Sequence, residues 1–302
     1  MAHRKALSEN RSGTSTGTLI IIGGHEDKEG ERAVLKEVAR RVGKGRLVVA
    51  SVASHEPEGY FDAYQKVFAE LGVTDTSDLY IEERSEAAQD EKLKIFDGAT
   101  GVFFTGGDQL RITCQIGDTP IEQRVQDIYA AGGVICGTSA GASAMCETML
   151  VKGRGSESYR MGGLRMAPGL GLIRSVIIDQ HFAERGRMGR LLGAVAQNPR
   201  LLGIGIDEDT AIVVENEEFT VLGSGAVYVV DGAGVTHSNI AEAKSEDVLS
   251  MYDVRVHVLG TGERFDLNSR RPAGALKLRE SQTLEDASQP EKEASGDAVS
   301  GE

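Results

Sequence analysis

The chain has no tryptophan, and its 302 residues include only 6 prolines and 3 cysteines; aromatic residues make up 5%. Aromatic bulk is therefore expected to matter less here than tight turns and close backbone approaches. The three cysteines, Cys114, Cys136 and Cys146, are an odd number with no metal-ligand spacing. That excludes a disulfide framework and a thiolate zinc site. Cys136 ends the apolar run Gly133-Val134-Ile135-Cys136 and reads as a small buried hydrophobe. Basic residues are also scarce, 33 Lys and Arg against 46 Asp and Glu, for a formal charge of -13. General binding to nucleic acid or an anionic membrane needs a basic footprint, so neither partner is expected. No apolar run approaches the ~20 residues of a membrane span, and the N-terminus has no signal-like apolar region. A cytoplasmic, reduced protein is expected. The sequence also lacks a Walker loop, a G-x-G-x-x-G dinucleotide fingerprint and an H-E-x-x-H zinc motif. No cofactor and no metal are expected.

What is abundant is glycine, 38 residues, in a chain that is 40% apolar and 26% charged. Those proportions belong to a folded globular protein, rich in tight turns and close backbone approaches. The charge is unevenly spread: residues 1–17 carry +2, residues 279–302 carry -5, and the stretch between carries -10. Residues 1–17 are Ser/Thr/Gly-rich and non-periodic, and the acidic tail 279–302 has almost no large apolar side chains. Both are expected to be disordered. Residues 18–278 show no linker and no internal repeat, which suggests one domain.

Within that stretch short apolar runs alternate with helical patterns. Strands are expected at 18–22, 46–52, 101–104 and 133–136, as continuous apolar runs suited to burial on both faces. Helices are expected at 29–42, 57–71 and 187–197; in the last, Met188, Leu191, Leu192 and Val195 share one face. After Gly203 the rhythm turns to paired β runs at 204–206, 211–214, 219–222 and 226–230. The expected fold is α/β: a three-layer α/β/α arrangement around a mostly parallel sheet, with antiparallel β additions in the C-terminal part. In such sheets ligands bind beyond the C-terminal ends of the strands. That directs attention to Gly23-Gly24-His25, Thr105-Gly106-Gly107-Asp108-Gln109, residues 137–142, and Asp179-Gln180-His181-Phe182.

Gly137-Thr138-Ser139-Ala140-Gly141 matches G-x-S-x-G, and so does Gly13-Thr14-Ser15-Thr16-Gly17. Only Ser139 follows an apolar run and precedes a helix-compatible stretch, 140–149. That context suits a serine presented on a sharp strand-to-helix turn, with helix N–H groups available to an oxyanion. A small-residue turn or a phosphate cradle is the plainer alternative. Of six histidines, His25, His55 and His181 each stand at the end of an expected strand. His181 stands beside Asp179 and Gln180 and shortly before Arg185, Arg187 and Arg190, which suits a general base in a site that holds carboxylates. A surface histidine ahead of an amphipathic helix is the competing reading. An orienting acid would come from Asp207-Glu208-Asp209, and spacing alone does not choose among the three.

Taken in order, IIIGGHEDKEGE (20–31), FFTGGDQLRIT (103–113), GTSAGASAM (137–145), DQHFAERGRMGRLL (179–192) and GIGIDEDTAIVV (203–214) resemble the cyanophycinases. These are serine peptidases on a class I glutamine amidotransferase-like, flavodoxin-like α/β/α fold. The resemblance spans roughly residues 18–278. It implies Ser139 as nucleophile, His181 as general base and Glu208 as its orienting acid. It further implies oxyanion N–H groups from Gly107 and Ala140, and a substrate site shaped by Gln109, Asp179, Gln180, Arg185, Arg187 and Arg190. The implied substrate is multi-L-arginyl-poly-L-aspartate, a storage polymer released as β-Asp-Arg dipeptides. Action inside the cell as a homodimer without metal is implied as well. A related aspartyl dipeptidase of the same fold and a non-catalytic ligand-binding protein are the alternatives. A cysteine-dependent amidotransferase is disfavoured, because the turn carries Ser139 and Cys136 lies three residues earlier in the strand.

Overall fold

The computed structural model describes residues 17–55, 57–153, 163–244 and 247–273. The tail expected over 279–302 and, Gly17 apart, the leader expected over 1–17 lie outside the described residues. The chain opens with β1 (Thr18–Ile22), α1 (Ala33–Val42), β2 (Arg46–Ala50), α2 (Tyr60–Glu70) and β3 (Thr76–Leu79). A 3-10 turn (Arg84–Ala88) leads to α3 (Asp90–Lys94), β4 (Ala99–Phe104), α4 (Gln109–Ile116), α5 (Pro120–Ala130) and β5 (Val134–Thr138). The short α6 (Ala140–Ala144) is followed by β6 (Thr148–Lys152), β7 (Arg165–Pro168), β8 (Val176–Gln180) and α7 (Met188–Gln197). Then come β9 (Leu202–Ile206), β10 (Thr210–Glu215), β11 (Glu218–Gly223) and β12 (Val227–Asp231). The last strands are β13 (His237–Ser238), β14 (Met251–Tyr252), β15 (Arg255–Leu259), β16 (Arg264–Asp266) and β17 (Arg271–Ala273).

Nine strands form the main sheet in the order β17-β16-β11-β10-β1-β5-β4-β2-β3. From β1 to β3 the pairing is parallel, and from β1 to β17 it is antiparallel. This is the expected parallel sheet with antiparallel additions. Side-chain alternation sends Ile20 and Ile22 of β1 to one face, where they pack with Val34, Leu35 and Val38 of α1 and Phe68 of α2. Leu19 and Ile21 pack on the other face with Ile112, Ile121 and Ala140 of α4, α5 and α6.

One feature departs from a single three-layer sandwich. The strands β15-β12-β9-β8 form a second sheet, with β8 and β9 parallel and β12 antiparallel to both neighbours. Its inner residues Ile178, Ile204 and Val229 join the core behind the main sheet. Its outer residues Ile177 and Val230 pack under Leu191, Ala194 and Val195 of α7. The β9–β10 connection at Asp207-Glu208-Asp209 therefore carries the chain from one sheet to the other. Among the described residues no helix is long and apolar enough to cross a membrane.

Two expected helices are shorter than their patterns. The stretch 29–42 becomes helical only at Ala33, because the Asp27 carboxylate accepts from the N–H groups of Glu29, Gly30 and Arg32 at 2.9, 2.7 and 2.8 Å. That is a local competitor to helical bonding. These donors hold the Asp27 carboxyl down at about 2. The stretch 140–149 is helical only to Ala144. The N–H groups of Leu170 and Leu172 take the Ala144 and Met145 carbonyls at 2.8 and 2.9 Å, and β6 then pairs with β7.

Candidate active site

Ser139 follows β5 immediately and caps α6 with φ 53 and ψ -111. The turn needs small neighbours. A Cβ on Gly137 would lie 2.6 Å from the Gly141 carbonyl group, and one on Gly141 would lie 2.4 Å from the Phe104 oxygen. Both glycines of the G-x-S-x-G pattern are thus required by close packing against backbone. The Ser139 N–H is tied to the Ile22 carbonyl of β1 at 3.1 Å, which fixes the turn to the centre of the main sheet.

His181 arrives from the second sheet. It follows β8 with φ 47, and its N–H donates to the Gly23 carbonyl at 2.8 Å. Its ring packs closely on the β1 loop, since a Cβ on Gly24 would sit 2.3 to 2.6 Å from the nearest imidazole atoms. Nε2 is 2.9 Å from Ser139 Oγ, and Nδ1 is 2.6 Å from Glu208 Oε1. An unprotonated Nε2 at that distance can accept the serine proton, while Nδ1–H donates to the carboxylate. Burial first, then the Arg185 cation and His25, push the imidazole below the usual histidine pKa; the Glu208 carboxylate opposes them.

The three carboxylates at the sheet crossing have separate tasks. Asp207 is buried and accepts from the N–H groups of Ala183 and Ala226 at 2.9 and 3.1 Å. Asp209 accepts from Asp27 N–H and Ser224 Oγ, each at 2.8 Å. Glu208 alone turns to His181. The flanking pair hold the connection while the middle residue faces the ring, a division that spacing could not reveal.

The remaining expected residues divide into those open to the site and those enclosed. Gly106 and Gly107 follow β4, and a Cβ on Gly106 would stand 3.8 Å from Ser139 Oγ. Gly107 has φ 141, and the Asp108 N–H is anchored to the Ala53 carbonyl at 2.9 Å. The N–H groups of Gly107 and Ala140 make no hydrogen bond among the described residues. Gln109 donates its amide to the Leu150 carbonyl at 2.7 Å, tying α4 to β6. Asp179 is fully buried under two guanidinium groups. Arg190 Nε meets its Oδ2 at 2.8 Å, Arg187 meets its Oδ1 at 3.2 Å, and Arg187 also reaches the Gln180 side chain at 2.8 Å. Arg187 and Arg190, expected to shape the substrate site, are both buried, and both are paired to the carboxylate two residues before His181. Arg185 is the exposed arginine of the three.

Of the other strand-end histidines, His55 is exposed and hydrogen-bonds none of these groups, whereas His25 joins the site. Its Nδ1 lies 3.3 Å from Glu208 Oε2, and its ring meets His181 edge to face with centroids 5.1 Å apart. Sequence reading missed Glu26 altogether. This buried carboxylate accepts from Tyr64 Oη at 2.5 Å and Thr138 Oγ1 at 2.6 Å, and so ties the β1 loop to the residue preceding Ser139. An acid after a Gly-Gly turn has no pattern that distinguishes it from a solvated loop residue. Cys136 is fully buried, as expected, and burial pushes its thiol far up; it takes no part here.

The profile of peptidase family S51 matches residues 19–222. A protein named cyanophycinase from Geminocystis herdmanii (strain PCC 6308) is 36% identical over 263 residues, covering 86% of this chain and 97% of that protein. Another of that name from Trichormus variabilis (strain ATCC 29413 / PCC 7937) is 39% identical over 267 residues, with 87% and 90% covered. A third, from Synechococcus elongatus, is 34% identical over 259 residues, with 84% and 80% covered. A crystal structure of a peptidase from an acI-B1 Actinobacterium aligns with a TM-score of 0.62 at 21% identity, over 84% of this chain and 98% of that one. That last likeness bears on the fold alone.

Proposed function

The chain belongs to peptidase family S51, and from that premise we infer that it hydrolyses cyanophycin, multi-L-arginyl-poly-L-aspartate, by a serine mechanism centred on Ser139. The identity of 34 to 39% to proteins named cyanophycinase, over most of both chains, carries the choice of substrate. The continuous chain Ser139 Oγ, His181 Nε2, His181 Nδ1, Glu208 Oε1 supports the mechanism.

In this reading Ser139 Oγ attacks a carbonyl of the aspartate backbone while His181 Nε2 takes its proton. Glu208 holds the Nδ1–H tautomer and stabilises the imidazolium. The N–H groups of Gly107 and Ala140, one from the β4 turn and one from the start of α6, hold the developing oxyanion. Collapse expels the amine with the proton returned by His181. Water, activated by the same imidazole, then releases the acyl group. The main substrate cation is a guanidinium, which an acidic body accommodates. Arg185, exposed beside the base, takes a substrate carboxylate. Arg187 and Arg190 act at one remove, holding Asp179 and Gln180 so that β8 presents His181. We assign the working form as a cytoplasmic homodimer in which residues 18–278 make up the peptidase domain.

Supplied separately with the polymer and with short aspartyl dipeptides, the purified protein is expected to release β-Asp-Arg from the polymer and leave the dipeptides largely uncut. Preferential cleavage of the dipeptides would move the assignment to a dipeptidase on the same fold.

The direction of the His181 shift sets a pH profile. A lowered pKa keeps the base neutral to more acidic pH, so the acid limb of kcat/KM falls below the ordinary histidine value of about 6.5. Arg185→Ala removes a cation that disfavours the imidazolium, so the His181 pKa rises and the limb moves to higher pH. A limb that stays in place or moves the other way would show that Arg185 does not act on the base.

A further inference from the structure

His25 is not needed by the mechanism above, yet it completes a donor set around Glu208. One donor atom from each of His25, His181 and Glu208 lies within 4.8 Å of the others. The two Nδ1 atoms approach opposite oxygens of one carboxylate, His181 at 2.6 Å from Oε1 and His25 at 3.3 Å from Oε2. Two imidazoles and a carboxylate are a zinc-type set, and imidazole selects zinc, copper or nickel over magnesium or calcium. Bond lengths of about 2.0 to 2.2 Å in a tetrahedral site put donor atoms about 3.3 to 3.5 Å apart. The His181–Glu208 contact must therefore open slightly and the wider separations must close. The His25 side chain, 71% exposed, has room to make that adjustment, and Glu208 is itself 27% exposed. The neighbourhood favours a cation: Glu184 accepts from the Glu208 N–H, and Asp209 and Asp27 follow on the same two loops. Arg185 is the opposing charge.

We propose that a zinc-type divalent cation binds the ring nitrogens of His25 and His181 and the carboxylate of Glu208, and in doing so switches the peptidase off. The metal acts as an inhibitor and not as a cofactor. The inference rests on the reading of Ser139 and His181 as nucleophile and base. With metal on Nδ1 the single proton of the neutral imidazole resides on Nε2, and the ring keeps its net charge. Nε2–H then points at Ser139 Oγ as a donor and has no lone pair to accept the serine proton. Removing the cation returns the proton to Nδ1 and restores the base.

The test adds zinc alone to the chelator-treated full chain, following heat by titration calorimetry and polymer hydrolysis in parallel. Binding of one zinc per chain is expected, with loss of activity that EDTA reverses. His25→Ala, scored against its own metal-free rate, is expected to need at least about tenfold more zinc for half inhibition, a loss of about 1.4 kcal/mol. Equal zinc sensitivity in His25→Ala and wild type would overturn the proposal, as would no binding to wild type. Titration of the Ser139→Ala protein, which keeps all three ligands, reads the metal site apart from catalysis. Binding there alongside retained hydrolysis would condemn the serine mechanism and leave the metal site standing.

Discussion

Ser139→Ala is expected to lower kcat for polymer hydrolysis by at least about 10⁴-fold while leaving KM within a small factor. Removing Oγ deletes the atom that would form the acyl-enzyme and changes little else. Alanine keeps the Cβ that already tolerates φ 53, and the side chain's contact in the site is the 2.9 Å bond to His181. The turn itself is held by the Ile22 carbonyl and by Gly137 and Gly141, which the substitution does not touch. Circular dichroism and thermal unfolding should therefore superpose on wild type. Steady-state kinetics on soluble polymer fragments makes the comparison. A kcat within tenfold of wild type would place the nucleophile elsewhere.

Glu208→Gln is expected to cost about 10⁴ in kcat through the proton and not through shape. The amide nearly matches the carboxylate in volume, but it no longer holds Nδ1–H as a charged acceptor. Turned with its NH₂ toward the ring, it selects the tautomer with the proton on Nε2, which cannot act as base. Asp207→Asn and Asp209→Asn are the informative comparisons, because those carboxylates bind backbone and hydroxyl donors and not the imidazole. Their cost should fall on unfolding temperature far more than on kcat. A thermal melt and a rate measurement on the three variants separate the roles. Equal kinetic losses in all three would mean that the turn contributes only rigidity.

The architecture and the strand-to-helix turn at Ser139 were legible because both follow from local rules. Continuous apolar runs such as Gly101–Phe104 have only one comfortable place, a strand buried on both faces, and the flanking glycines of Ser139 announce a tight strand-to-helix turn. Other features depend on which strands meet. The second sheet is invisible in the β runs after Gly203, since period and length do not say whether β9 joins β8 or β1. The choice of Glu208 over its neighbours depends on the crossing between the two sheets. His25 and Glu26 enter through the turn after β1, where a polar run reads like any solvated loop. The pairing of Arg187 and Arg190 with Asp179 is hidden for a related reason. Arginines in the first turn of a helix and just before it are normally exposed, and only the burial of Asp179 on β8 turns these two inward.

The most direct measurement treats the protein with a fluorophosphonate, maps the adduct by peptide mass spectrometry and assays polymer hydrolysis on the same sample. A single adduct on Ser139, slowed by added polymer and accompanied by a matching loss of β-Asp-Arg release, is the predicted result. An adduct on another residue, or full hydrolysis by a protein stoichiometrically modified at Ser139, would contradict the serine mechanism.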